Sequence, residues 1–188
     1  MPGLFFPDNT VLVNFTYIHR HDLLEWFLKG RGTWTIAIAR ECAKSSREPD
    51  LQDMARWNGL LPSPLTPTAS EIVDARTIAE QMRKPGETDP AKNMGEAETI
   101  AVITRRELEA VFLTDDHGAA RRASVEPLIH VASTTKVLAL AEVVGHITHL
   151  EARQCLATLQ DLGRVLGNPP SIRGYDDHVA KLKQRRQR

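Results

Sequence analysis

Ala110 to Leu113 is an apolar run too short for a helix, and it delivers Thr114, Asp115 and Asp116 at its end. Just upstream, Met94-Gly95-Glu96-Ala97-Glu98-Thr99-Ile100-Ala101 reads as the start of a helix with Glu96 and Glu98 in its first turn. A buried strand ending on acids beside an acidic helix start constrains the fold strongly. In an open α/β sheet, ligands bind in the crevice beyond the carboxyl ends of the strands. The pattern recurs: Leu4-Phe5-Phe6-Pro7 stops at Asp8, and Thr33 to Ile38 is predicted as a strand leading into a helix that carries Glu41.

Between these runs the spacing is helical. Val11, Leu12, Phe15 and Ile18 share one face of a helix capped by Asn9 or Thr10, and a second helix starts at Asp22 and stops at Gly30 or Gly32. Residues 50 to 60 read as helix, with Leu51, Met54, Ala55 and Trp57 on one side. Three prolines within 61–67 make a connector, after which Thr68 or Ser70 caps a helix running to Met82. Residues 84 to 93 form a loop, and the Gly95 helix continues to about Leu108. A short helix with Arg121 and Arg122 follows Asp116, then a strand Leu128 to Val131, a helix through Leu138 and Val144, and a long helix from Leu150 to Leu166. Strands alternating with helices in this order predict an α/β domain with a mainly parallel sheet.

Net charge is zero, so it argues neither for nor against nucleic acid, but Lys181, Lys183, Arg185, Arg186 and Arg188 form a basic end on a mildly acidic body. That end is read as a solvated tail, with phosphate contact the alternative. Cys42 and Cys155 have no paired spacing and read as packing residues. His19 with His21, and His146 with His149, lack the further ligands a zinc site needs and read as loop or capping residues. No signal-peptide pattern or membrane-length apolar run occurs, so a cytoplasmic protein is expected.

Carboxylates crowded at strand ends raise one another's pKa unless a cation sits among them. An oxygen-only donor set selects Mg²⁺ or Mn²⁺, and phosphodiester hydrolysis is the chemistry such a site suits.

These residues resemble the PIN-domain ribonucleases, which include the VapC-type toxins, and especially a group whose central motif reads Gly-Glu-Ala-Glu; here it is Gly95-Glu96-Ala97-Glu98. Asp8-Asn9-Thr10-Val11-Leu12-Val13-Asn14 is similar to the family's first acid and following helix, Glu41 to its second acid, Glu96 to its third and Thr114-Asp115-Asp116 to its Thr-x-Asp pattern. The resemblance implies a PIN-like three-layer fold over residues 3–145 and an extension of extra helices with a basic tail over 146–188. It also implies an Mg²⁺- or Mn²⁺-dependent endoribonuclease, the toxin of a toxin and antitoxin pair, forming a homodimer and leaving a 5′-phosphate and a 3′-hydroxyl. Asp8, Glu41, Glu96 and Asp116 are then the catalytic acids, Asp8, Glu96, Asp115 and Asp116 the metal ligands, and Thr114, Arg121 and Arg122 candidate RNA contacts. The competing expectation is a PIN-like module that binds RNA or protein without cutting. Glu96 stands where an aspartate is commoner in the toxins, and residues 47–93 are longer than a compact toxin needs.

Overall fold

The computed structural model describes residues 3–89, 91–169 and 171–186, so Pro90, Pro170 and the expected tail residue Arg188 lie outside the described residues. Its centre is a three-stranded parallel sheet: β1 (Leu4–Pro7), β2 (Ala110–Leu113) and β3 (Ile129–Ala132), in the order β1-β2-β3. Alternating side chains point to opposite faces. Phe5, Val111 and Leu113 enter one core with α1 (Asn9–Tyr17), α2 (His21–Leu28), α3 (Ile36–Ser45) and α8 (Thr134–Val144). Phe6, Ala110 and Phe112 enter a second core with α5 (Ala69–Met82), α6 (Met94–Arg105) and α7 (His117–Ala123). Helices therefore cover both faces of the sheet.

The register places Pro7, Leu113 and Ala132 side by side, so the residues that follow them emerge along one edge. Asp8, Asp116 and Ser133 each accept a backbone N–H with their side chains and thereby cap α1, α7 and α8. Three helix N-termini, each carrying a partial positive charge, face the same crevice. Asp8 displaces Asn9 and Thr10, the expected caps of α1.

The expected strand over Thr33–Ile38 is not formed. Only Gly32 and Thr35 make strand-like bridges, to Phe5 and Leu65, and the helix already begins at Ile36. The reason is tertiary: the Ala37 amide is received by Glu98 from α6, while Ile38 is fully buried in the first core. These contacts override the β-preference of the sequence. Residues 49–56 form a 3-10 helix that leads into the short α4 (Trp57–Leu60). Leu51, Met54 and Trp57 are buried at every third position, leaving Ala55 exposed, which is the period of the tighter helix. Thr68 caps α5 in a reciprocal pair with Glu71, as its spacing suggests.

The long helix expected to Leu166 stops earlier. α9 spans His149–Asp161, and Gly163, with φ +66, turns the chain away from the helical path. The basic end is helical through residue 186, with Lys181, Lys183, Arg185 and Arg186 exposed. Residues 172–186 form α10, whose Tyr175 and Val179 are buried in the first core. On α8, the carboxylate of Glu142 accepts from Tyr175 Oη (2.9 Å) and Lys183 Nζ (2.8 Å), with His149 Nδ1 from α9 at 3.1 Å. Among the described residues, no helix is long and apolar enough to cross a membrane.

Candidate functional site

Asp8 follows β1 and is 1 % exposed. Its Oδ1 accepts from the Asn9 amide (2.7 Å), and its Oδ2 accepts from the hydroxyls of Thr10 (2.6 Å) and Thr114 (3.2 Å). Burial pushes its carboxyl up to about 6 against the pull of those donors. Thr114, a candidate RNA contact, is itself buried and holds Asp8 and the Asp116 amide.

Glu41 and Glu96 come from α3 and α6. Burial, then the charge of Asp8, lifts Glu41 to about 7, with Lys92 opposing and Glu98 adding to the rise. Burial, then Asp8, Glu41 and Asp116, lifts Glu96 to about 8. Asp8, Glu41 and Asp116 thus all bear electrostatically on Glu96. A Cβ on Gly95 would stand 2.5 Å from Glu41 Oε1, so the glycine of the Gly-Glu-Ala-Glu stretch makes room for the neighbouring acid.

The two adjacent aspartates have different surroundings. Asp116 spends Oδ1 on the Ala119 amide (2.7 Å), and among the described residues its Oδ2 receives no hydrogen bond. Asp115 is enclosed: Oδ1 accepts from the amides of Thr134 (3.1 Å) and Gly167 (2.8 Å), and Oδ2 from Asn14 Nδ2 (2.8 Å) and the Thr134 hydroxyl. Four donors occupy the lone-pair directions a carboxylate offers. Burial raises its pKa, and these donors pull it back. The sequence gives no sign of this difference, because the partners lie far along the chain.

No family model, curated protein or solved structure gives a significant match to the chain.

The donor chemistry is of the kind a hard divalent cation takes: oxygen atoms only, three of the four acids held above their ordinary pKa, and, among the described residues, no basic side chain hydrogen-bonded to them. Among the described residues, no three such side chains stand close enough to ligate a common ion. Of the expected cations, Arg122 is bound to Glu126 (2.6 Å) and Gln81 (3.1 Å), whereas Arg121 is exposed beside Asp116.

Two side chains outside the expected site set bear on its geometry. Glu98 is buried and accepts the Ala37 amide at 2.9 Å, locking the start of α3, which carries Glu41, to α6, which carries Glu96. Its position two residues after Glu96 is the available signal, since residues two apart on a helix face different ways. Arg164 reaches the site from beyond α9, where nothing local in the sequence marks it.

Proposed function

We propose that this protein is a divalent-metal-dependent endoribonuclease. The observation that carries the reading is that Asp8 and Asp116, beyond the aligned carboxyl ends of β1 and β2, and Glu41, packed against Gly95, all bear electrostatically on Glu96 of α6. Asp8, Glu96 and Asp116 would hold Mg²⁺ or Mn²⁺, which would supply charge neutralisation and polarisation of phosphate oxygens.

The chain's own groups divide the remaining work. The Thr10 and Thr114 hydroxyls fix the orientation of Asp8, and the N-termini of α1 and α7 favour a phosphate in the crevice. Glu41, with a carboxyl pushed up to about 7, is suited to take a proton from attacking water at its carboxylate oxygen. Asp115 leaves the ligand set, because its oxygens are already occupied.

Asp8→Asn and Asp116→Asn should each abolish RNA cleavage in Mg²⁺ or Mn²⁺ while leaving the protein folded, and EDTA should abolish cleavage by the unaltered chain. Full cleavage in either variant removes that residue from the mechanism. RNA that is bound but never cut favours the non-cleaving module. The narrower reading, a toxin acting with an antitoxin and as a homodimer, rests on the resemblance; growth arrest on expression and sedimentation of the purified chain test it.

A further inference from the structure

Residues 162–168, between α9 and α10, run beside Asp115 and Asp116 as a strap. The Gly167 amide donates to Asp115, and Asn168 O accepts from the Ser133 hydroxyl at 3.0 Å. The fit is close: a Cβ on Gly167 would stand 2.5 Å from Ser133 Cβ and 2.7 Å from Asp115 Oδ1. Within this strap Arg164 donates Nε to Asn14 Oδ1 (2.8 Å), and its guanidinium lies 5.8 Å from the centre of the Tyr17 ring. Asn14 is held in turn by Asp115 through its Nδ2.

Nε and one ring face therefore fix the guanidinium, leaving its two terminal nitrogens for another acceptor. Arg164 lines a 520 Å³ cavity with Thr10, Lys84, Asp116 and Arg121. Lys84 and Arg121 have no acid partner among the described residues, so three cations from separate segments border the cavity that Asp116 joins to the acids. An acidic pocket repels every phosphate except the one at its cation, so a polyanionic strand needs separate positive contacts beside it.

We propose that Arg164, with Arg121 and Lys84, seats a backbone phosphate of single-stranded RNA next to the carboxylate pocket, and that Asp115 is the positioning residue that holds the strap and hence Arg164. The inference rests on the nuclease reading for its choice of ligand. It assigns the two neighbouring aspartates separate tasks, Asp116 towards the reaction and Asp115 towards substrate grip.

The test is fluorescence anisotropy of a short labelled single-stranded oligoribonucleotide with the full chain in EDTA, across a salt series. Arg164→Ala should weaken binding and reduce the slope of log affinity against log salt by about 0.7, the value for one phosphate contact on a single strand. Arg164→Lys should keep the slope but bind more weakly, having lost the fork held by Asn14. Gly167→Ala should reproduce the Arg164→Ala loss, and the double variant should bind no worse than Arg164→Ala alone. Thermal melts establish that each variant is folded, and Arg164→Ala, which empties no core position, keeps the test decisive if Gly167→Ala unfolds. An unchanged slope in Arg164→Ala, or no RNA binding by the unaltered chain, overturns the seat; additive losses in the double variant overturn the role of the strap. Arginine-dependent binding without cleavage in Mg²⁺ or Mn²⁺ leaves the seat standing and removes the nuclease reading.

Discussion

At the scale of single residues, the acids make stability depend on pH in an unusual direction. Asp8, Glu41 and Glu96 have folded-state pKa values of about 6, 7 and 8, all above the ordinary carboxylate range. A raised carboxyl favours the protonated fold, so its stabilisation is fully present below pH 4 and is lost as pH rises through the folded values. In EDTA the melting temperature should therefore fall between pH 5 and pH 8, as far as these groups decide it. Mg²⁺ or Mn²⁺ should restore it more at pH 8 than at pH 5, because protons compete with the ion for the same oxygens. Scanning fluorimetry of the unaltered chain beside the Asp8→Asn, Glu41→Gln, Glu96→Gln triple variant separates this contribution from others. Equal pH slopes for the two proteins would show that the acids do not interact as described.

At the scale of elements, the relation between α3 and α6 sets the geometry of the pocket, and one hydrogen bond ties them. Glu98→Ala removes the acceptor for the Ala37 amide and should cost about 1 kcal/mol, the usual value of a lost helix cap, and also lower cleavage because Glu41 rides on α3. Glu98→Gln keeps an acceptor and should retain most of both. Urea denaturation and an RNA cleavage assay read the two effects; Glu98→Ala with unaltered stability would mean that solvent caps α3 equally well. The limits of the sequence are plain at this scale. The strands leading to Asp8 and Thr114, the Thr68 cap that stood beside Ser70 as an alternative, and the helix after Asp116 were legible, because each is written in adjacent residues. Ile36 and Ile38 looked like strand because the Glu98 that starts their helix lies far along the chain. Gly163, through which the expected helix runs, lies just past the end of α9, and Tyr175 and Val179, which anchor α10, precede the basic run that reads as a tail. Asp8 and Asp116 do follow strands and Glu96 does open a helix, whereas the strand expected before Glu41 is replaced by the start of α3. The difference between Asp115 and Asp116 was not legible, since it depends on Asn14, Thr134 and Gly167.

At the scale of the whole molecule, the last helix belongs to the principal core. Tyr175 is fully buried beside α8, so Tyr175→Ala should cost about 3–5 kcal/mol, the range for emptying an aromatic core site. Tyr175→Phe should cost only about 1 kcal/mol, because Glu142 keeps Lys183 and His149 as partners. Denaturant midpoints measure both, and a Tyr175→Ala chain as stable as the original would mean that α10 is not part of the cooperative fold. The placement of the strap also orders assembly in time. A ribosome releases the chain from its first residue at about 5–20 residues per second, so Asp115 and Glu142 are made before the Gly167 amide and the Lys183 ammonium that complete their surroundings. During that interval both carboxylates have to stay hydrated, and the half-made crevice stays open to water. Its final shape is reached only once residues 162–168 and α10 have followed the acids they enclose.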